Sequence, residues 1–450
     1  MKYIQNKYQI VMQNIINKIP SNIYSFLSFL IFIFCGISIL FARPFVGLYF
    51  FGSRLGELVI GALALTSLYI FVLPSKIYPN ELKVLVKLFR LMILLFTLTL
   101  VLTESSLVSS YTFKSSSYIW TASSIFIGYT LLADYDYSKK LKSFIPFVPL
   151  FTYFISTGNY PNIVIDFFNK YSDKFQFIKA SDLAIGLFIS VLIVNKHLKN
   201  KLIAVSYAFI MISIFLPIML FNSRGSFIAT TLFFCFFIIQ NRKLLLTKKL
   251  QFLIIILLSI AAFLLSSFRV YGNFDFYKDP ESVTSELVIE SIKGISENKD
   301  PAKVFLSFYI QDGYLMSWDP TTDWRLDIWQ DVIYDLIDKN QVSFGYGYKD
   351  IIPVMLDPSA PGRLGRDGLN ENVHNYFVNI LARGGLLQLI IFIIFYFKII
   401  QLYKNKFGDY KILILLIPIM ILSSLDVTME GVNFPIIFYS YLGYILKKGI

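Results

Sequence analysis

The chain has 450 residues, of which 56% are hydrophobic and 17% aromatic, and its mean hydropathy is +0.63. A soluble domain of this composition would expose a large apolar surface, so the composition indicates a membrane protein and excludes an ordinary soluble enzyme. The formal net charge of +12 at pH 7 does not indicate nucleic-acid binding, because membrane topology accounts for it.

Apolar runs recur along the whole chain at about the 17–25 residues that a helix needs to cross the hydrocarbon core. We place about twelve spans, at roughly 23–43, 56–74, 88–104, 117–133, 143–158, 180–195, 202–221, 225–240, 250–268, 375–397, 411–424 and 433–447. They predict an all-α polytopic membrane protein. Transmembrane helices 1–9 occupy residues 1–268, a large loop occupies 269–374, and helices 10–12 occupy 375–450. The first run has no small-residue cleavage site, so we interpret it as an uncleaved span.

Basic residues fall on one side of these spans, in segments such as "NKHLKNK", "NRKLLLTKK" and the terminal "KK". The positive-inside rule makes that side cytoplasmic and puts both termini there. The other side carries the large loop, which has 10 basic and 18 acidic residues between Arg269 and Val373, a net charge of −8. The rest of the chain therefore has a net charge of +20. This charge orients the chain in the membrane and interacts with anionic lipid headgroups.

The large loop has the pattern of a small, partly helical subdomain. "SVTSELVIESIKGI" has helical spacing, and "TTDWRLDIWQDVIYDLIDKN" predicts an amphipathic helix with Asp323 as its N-cap. Its apolar stripe consists of Trp324, Ile328, Val332 and Leu336. "SFGYGYKD" and "DPSAPGRLGRDG" are predicted turns. The chain has no internal repeat, which counts against transporters built from inverted repeats.

The turn "FNSRGSFIA" between the seventh and eighth spans carries Ser223, Arg224 and Gly225. An arginine at the bilayer boundary is costly without a partner, and its guanidinium offers a fork of donors suited to phosphate. Gly225 would let a ligand approach the backbone closely. The alternative is that Arg224 anchors the chain to lipid headgroups.

Two further candidates lie on the same outer face. Arg325 on the loop helix could bind phosphate, or could pair with Asp323 and Asp327 on a solvated face. His374 lies where the tenth span begins and could engage a hydroxyl near neutral pH, or could be an ordinary hydrogen-bonded residue. The second histidine of the chain, His197, lies among cytoplasmic lysines.

No metal site is predicted. Cys35 and Cys235 both lie inside apolar runs and are interpreted as small core residues. The two histidines fall on opposite sides of the membrane, and the chain has no phosphate-binding P-loop, HExxH or GxSxG motif.

The motifs together resemble those of the bacterial O-antigen ligase/O-antigen polymerase superfamily. The resemblance rests on "SRG" at 223–225, "RLDIW" at 325–329, "GYG" at 345–347 and "HNYFVNILARGG" at 374–385, and it covers about residues 200–400. The twelve-span layout of that family also matches. The departure is Arg383, which precedes the glycines of "ARGGLL".

The resemblance implies a membrane-embedded glycosyltransferase of the C type that works without a metal ion or other cofactor. The donor would be a glycan on undecaprenyl pyrophosphate, and the acceptor a hydroxyl of lipid A core or of a repeat unit. Catalysis would lie at the periplasmic face of the bacterial inner membrane. Arg224 and Arg325 would bind the donor pyrophosphate, and His374 would take or orient the acceptor proton.

Secondary roles follow for other residues of the motifs. Asn375 could orient the imidazole or bind sugar, or could cap the helix. Arg383 lies about 13 Å deeper than His374 along a helix and needs a partner, either an acid such as Glu430 or Asp182 or the donor phosphate. Several aromatic side chains could stack on sugars or form the core of the loop subdomain: Trp318, Trp324, Trp329, Tyr346 and Tyr348.

The motifs leave the activity within the superfamily open. A ligase is the first hypothesis, a repeat-unit polymerase the alternative, and a protein O-oligosaccharyltransferase a third. A transporter for lipid-linked sugars is the rival class. A transporter would predict paired charges within several spans and an internal repeat. The sequence has few such charges and no repeat.

Overall fold

The computed structural model describes residues 21–75, 78–107, 109–133, 144–158, 161–173, 178–272, 307–360, 363–364 and 371–450. The predicted helix "SVTSELVIESIKGI" at 282–295 lies outside the described residues. The remainder is mostly helical, because long apolar runs satisfy their backbone hydrogen bonds within each helix.

The helices in chain order within these residues are α1 (Ser21–Val46), α2 (Leu55–Val72), α3 (Lys83–Leu102), α4 (Ser110–Ser115), α5 (Ser117–Ala122), α6 (Ser124–Ile127), α7 (Val148–Thr157), α8 (Asn162–Tyr171), α9 (Ala180–His197), α10 (Lys201–Asn222), α11 (Arg224–Thr247), α12 (Lys249–Tyr271), α13 (Pro320–Asp338), α14 (Tyr376–Phe407), α15 (Leu413–Leu425) and α16 (Asn433–Lys448). A π-helix follows α6 at Gly128–Leu132, and 3-10 helices occupy Ile145–Phe147 and Pro353–Leu356. Two antiparallel hairpins, which the all-α prediction did not include, are β1–β2 (Tyr49–Phe50, Ser53–Arg54) and β3–β4 (Phe308–Gln311, Tyr314–Ser317).

Among the described residues, eight helices are long and apolar enough to cross a membrane: α1, α2, α3, α9, α10, α11, α12 and α14. Each coincides with a predicted span, so the polytopic helical architecture is confirmed. Shorter apolar helices at Ile145–Thr157 and Leu413–Leu425 occupy two further predicted spans, and the 16-residue α16 occupies the last.

The predicted span at 117–133 is helical but is not one regular helix. The segment is broken into α5, α6 and the π-helix. Hydroxyls inside it bond back to their own backbone, as Ser123 Oγ does to the Trp120 carbonyl at 2.6 Å, and such bonds compete with a regular helix. α16 packs so closely on this segment that a Cβ at Gly128 would lie 1.9 Å from the Ser440 carbonyl oxygen.

The helices form one apolar core with α9 near its centre. The share of buried residues in the membrane-length window is 83% for α9 but 22% for α12, which lies against α10 at the edge. The exposed faces of the edge helices carry large apolar residues such as Leu253, Leu257 and Leu265, which suit contact with lipid.

The loop subdomain contains β3, β4 and α13. α13 begins at Pro320 and is capped by Asp319, whose carboxylate accepts from the Thr322 backbone N–H at 2.9 Å. The prediction of Asp323 as the N-cap was therefore wrong by four residues. The predicted apolar stripe is confirmed, since Ile328, Val332 and Leu336 are fully buried in a separate small core.

α14 is broken at Gly385, where φ is +72°. The 342–347 segment of the loop subdomain replaces the lost helical bonds: Leu386 N–H donates to the Val342 carbonyl at 2.8 Å, and Tyr346 N–H donates to the Ala382 carbonyl at 2.7 Å. A Cβ at Gly385 would lie 2.3 Å from the backbone of Ser343. The glycines of "ARGG" thus let the loop subdomain dock on α14.

Candidate functional site

The "SRG" turn forms the beginning of α11. Ser223 is the N-cap, and its hydroxyl accepts from the Ser226 N–H at 3.3 Å. Gly225 faces the end of α15, and a Cβ there would lie 2.9 Å from the Cβ of Leu425. Ser223 starts the helix, therefore, and Gly225 permits its close approach to α15.

Arg224 reaches the loop subdomain. Its Nη1 lies 2.5 Å from Oδ1 of Asp319, and the side chains are 43% and 5% exposed respectively. Burial opposes ionisation of Asp319, but hydrogen bonds from Thr322 and the Arg224 guanidinium outweigh it, so the pKa of Asp319 is lowered. An arginine held against a buried carboxylate of the loop subdomain, yet still partly exposed, favours the ligand-binding interpretation over a headgroup anchor.

Arg325 points to the same end of α15. Its Nη1 donates to the carbonyl of Leu425 at 2.5 Å, and its buried Nε has no hydrogen-bond partner among the described residues. Asp426 and Asp319 interact with its charge, whereas burial lowers the pKa of Arg325. The "SRG" turn and Arg325 therefore converge on Leu425.

The alternative prediction for Arg325 was an ion pair with Asp323 or Asp327 on α13. The structure does not show this pairing. Asp323 accepts from the Ser317 N–H at 2.8 Å. Asp327 lies 2.5 Å from Nη2 of Arg363, which also bonds Asp331. Both neighbours of Arg325 are thus engaged within the loop subdomain, and Arg325 is directed towards the helix bundle.

His374 lies in a strained turn just before α14. Its φ of +56° is rare for a residue with a side chain. The Trp324 ring packs edge-on against the imidazole, with centroids 5.2 Å apart. Trp329 Nε1 donates to the carbonyl of the preceding residue, Val373, at 2.6 Å. The tryptophan of "RLDIW" therefore fixes the backbone from which His374 projects.

His374 is held uncharged by its surroundings. Burial is the main cause, and the charges of Arg325, Lys179 and Arg43 add to it against the opposing charge of Asp426, so the pKa of His374 falls to about 4. At neutral pH the imidazole is therefore a neutral acceptor that can take a proton.

Three charged residues of this cluster were not identified from the sequence, namely Arg43, Lys179 and Asp426, and Glu430 was considered only as a partner of Arg383. Arg43 Nη2 approaches the Val427 carbonyl at 3.5 Å. Burial, followed by repulsion from Asp426, raises the pKa of Glu430 to about 8. The signal that could have identified the two cations is their position, since each lies at the outer end of a predicted span, against the positive-inside bias.

Asn375 is a helix cap. Its side-chain oxygen accepts from the N–H groups of Phe377 and Val378 at 3.0 and 3.1 Å. This geometry supports the capping interpretation, since both bonds start α14 directly after His374.

Arg383 is almost fully buried and bonds to the Asp350 carbonyl, to the Gly347 carbonyl at 3.5 Å and to the Tyr111 hydroxyl at 3.1 Å. Within the described residues it forms no ion pair with Glu430 or Asp182, so the predicted acidic partner is wrong. Asp182 instead accepts from Asn433 at 2.8 Å. Arg383 and Glu430 line a polar cavity with seven other residues: Tyr111, Lys114, Ser115, Ser117, Glu371, Asn372 and Asn379.

Three of the aromatic candidates are half-buried and pack against the core of the loop subdomain: Trp324, Trp329 and Tyr346. Tyr348 is fully buried and its hydroxyl lies 2.7 Å from that of Tyr118. Tyr346 donates to Asp335 at 2.6 Å. Trp318 is 49% exposed and stacks on Tyr309, with centroids 4.4 Å apart. Among the five candidates, Trp318 offers the most open face to a sugar ring.

Within the described residues no group of three or more His, Cys, Asp or Glu side chains is arranged to hold a metal ion. The side chains that meet at the site are cationic or acidic and lie around Leu425 and Asp426. Such a site can bind an anion through Arg224 and Arg325 and accept a proton at His374.

Comparison with known families gives one match. A family model described as O-antigen ligase, Wzy_C, matches residues 207–393, and no curated protein matches the chain. The matched segment runs from within α10 into α14 and contains Arg224, Arg325 and His374. Members of this family are glycosyltransferase-type enzymes, ligases and polymerases, with lipid-linked glycan donors and acceptors as substrates. Residues 207–393 of this multi-pass helical membrane protein thus carry an O-antigen ligase domain of the O-antigen ligase/O-antigen polymerase superfamily.

Proposed function

We propose that the chain is a ligase-type glycosyltransferase that moves a glycan from undecaprenyl pyrophosphate to a sugar hydroxyl of the lipid A core. The supporting observation is that Gly225, beside Arg224, and Arg325 both meet Leu425 at the end of α15, while His374 interacts with Arg325 and Asp426. Three motifs that are up to 150 residues apart in the sequence meet there. A purely structural role for each would not require them to share one polar surface.

The proposed reaction breaks the bond between the sugar C1 and the phosphate oxygen. Negative charge then grows on the departing lipid pyrophosphate, and guanidinium groups are suited to stabilise it. Arg325 supports this role because its Nε has no partner among the described residues. Arg224 supports it because its side chain remains 43% exposed beside Asp319.

The new glycosidic bond forms between the same C1 and the acceptor oxygen, whose proton goes to His374. A neutral imidazole is required for this, and burial among cations lowers the pKa of His374 to about 4. Proton transfer to a positioned base typically contributes about 10²–10⁴-fold to rate. Once protonated, the imidazolium repels Arg325, which favours release of the proton after transfer.

In this proposal the protein has twelve crossings of the bacterial inner membrane, cytoplasmic termini and a periplasmic site. The excess of basic residues on the predicted inner loops and the acidic loop at 269–374 support this orientation. The proposed mechanism assigns stabilisation of the leaving pyrophosphate to protein cations rather than to a metal ion.

The decisive experiment supplies the purified full-length protein with an undecaprenyl-pyrophosphate-linked glycan and one of two acceptors. Transfer to lipid A core is the result expected for the ligase. Transfer only to a second lipid-linked repeat unit would replace the ligase with a polymerase. No transfer to either acceptor would contradict the proposed function.

A gene deletion gives an independent result in the cell. Loss of a ligase leaves bare core and accumulates long lipid-linked chains. Loss of a polymerase leaves core that carries a single repeat unit. Core glycosylated as in the parent strain after deletion would contradict both activities.

A further inference from the structure

Two basic residues outside the matched family domain, Arg43 and Lys179, lie next to the proposed site. Arg43 is near the end of α1 and Lys179 directly precedes α9. Both interact electrostatically with His374. They also interact with each other, since burial and then repulsion by Arg43 lower the pKa of Lys179. Two like charges are thus held close together beside the imidazole.

The backbone of α1 is distorted to place Arg43. Ala42 is buried and has φ +49° and ψ −125°, which interrupts the helix just before Arg43. Pro44 follows and cannot donate a helical hydrogen bond. A non-glycine residue at positive φ is strained, and Ala42 shares this strain with His374.

The distortion directs Arg43 onto the segment that Arg325 also contacts. Arg43 Nη2 approaches the carbonyl of Val427, two residues beyond the carbonyl that Arg325 bonds. The two guanidinium groups therefore meet the same short connection between α15 and α16 from two different elements.

Lys179 has an ammonium group that the described residues leave without a hydrogen bond or ion pair. Asp426, Asp182 and Glu430 interact with it only at longer range. The three N–H donors of this ammonium are therefore available to a ligand. A phosphate offers several acceptor oxygens, and lysine binds it as a point charge.

We propose that Arg43 and Lys179 bind the donor pyrophosphate together with Arg224 and Arg325. This assignment rests on the proposed function, because it places all four cations around the two phosphates of a lipid diphosphate. It adds two residues outside residues 207–393 to that site.

The test uses the full-length protein in lipid nanodiscs and inorganic pyrophosphate as the probe. Affinity is measured by thermal stabilisation over a range of pyrophosphate concentrations. Lys179→Gln and Arg43→Gln each remove one charge-assisted contact, so we expect pyrophosphate binding to weaken about 10- to 100-fold. Lys179→Arg keeps the charge and restores most of the affinity.

Lys170→Gln is the matched control, since Lys170 is an exposed lysine of α8 whose Nζ lies 5.2 Å from the Tyr171 ring centroid. It leaves pyrophosphate affinity unchanged. A second measurement needs no variant: a site with two phosphate positions binds pyrophosphate at least about tenfold more tightly than inorganic phosphate. Equal affinities for the two anions, or wild-type affinity in both Gln variants, would overturn the inference.

Glycan transfer on the same preparations separates the two proposals. If the wild-type protein transfers glycan but both Gln variants bind pyrophosphate normally, the inference is contradicted and the proposed function stands. A wild-type protein that binds pyrophosphate through these residues but transfers glycan to neither acceptor contradicts the proposed function.

Discussion

Replacing Arg325 by Gln should raise the pKa of His374. The pKa now lies at about 4, against 6.5 for an ordinary histidine, and burial is the largest cause, followed by the charge of Arg325. Lys179 and Arg43 act in the same direction and Asp426 opposes them. Because the neutral form is favoured in the folded protein, protonation occurs only as the pH falls towards 4.

The size of the pKa change depends on the interactions of His374 that remain in the variant. Burial and the other two cations persist in Arg325→Gln, so the pKa rises only part of the way towards 6.5. We expect a rise of about one unit, which is a tenfold change in proton affinity. Removal of Asp426 as Asp426→Asn has the opposite sign and lowers the pKa further.

The chain is suited to a direct measurement because it has only two histidines. In a His197→Gln background, ¹⁵N NMR of the labelled imidazole follows His374 alone. We expect a neutral ring from pH 8 to about 5.5, with protonation beginning at higher pH in Arg325→Gln. A wild-type ring that protonates between pH 6 and 7, or an Arg325→Gln variant that titrates like wild type, refutes the electrostatic account.

Three further predictions concern the scaffold around the site. Asp319→Asn keeps the N-cap of α13 but removes the charge that holds Arg224. The melting temperature therefore stays near that of wild type, while glycan transfer falls about tenfold. Asp319→Ala also loses the cap, which lowers the free energy of unfolding by about 1 kcal/mol. Trp329→Phe removes the hydrogen bond that fixes the backbone before His374, which lowers transfer and costs about 1 kcal/mol in chemical denaturation. Gly385→Ala places a Cβ 2.3 Å from Ser343 and undocks the loop subdomain, detectable as faster proteolysis between α12 and α14.

The controls for these variants come from the same chain. Gly408 has φ +76° and no atom within 4 Å of the position that a Cβ would take, so Gly408→Ala tests backbone strain without the clash. Equal proteolysis of Gly385→Ala and Gly408→Ala would contradict the docking role of Gly385. Unchanged transfer in Asp319→Asn would show that the ion pair does not position Arg224.

The sequence predicts those structural elements that depend on interactions between residues close together in the chain. The eight long spans follow from apolar length, and the buried stripe of α13 follows from residues spaced by four. The start of α13 was misplaced because both Asp319 and Asp323 are good caps. Pro320, which suits the first position of a helix, was the cue that decides for Asp319.

Features that depend on distant contacts could not be predicted in this way. Arg383 was expected to need an acid or the donor phosphate as its partner, but backbone carbonyls of the loop at 347–350 bond it instead, because α14 breaks at Gly385 and admits that loop. Arg43 and Lys179 have no motif around them. Their place in the site depends on how α1 and α9 pack, which no single segment of the sequence specifies.

The central claim is that protein cations and His374, without a metal ion, carry glycan transfer from a lipid pyrophosphate. Its most direct test is the single-turnover rate of transfer by purified wild type, His374→Ala and Arg325→Gln in EDTA, with Lys339→Gln on the exposed face of α13 as control. We expect wild type and the control to transfer glycan at the same rate, and the two site variants to be slower by about 10²-fold or more. Full transfer by the site variants, or loss of wild-type transfer in EDTA with recovery in Mg²⁺, would contradict the claim.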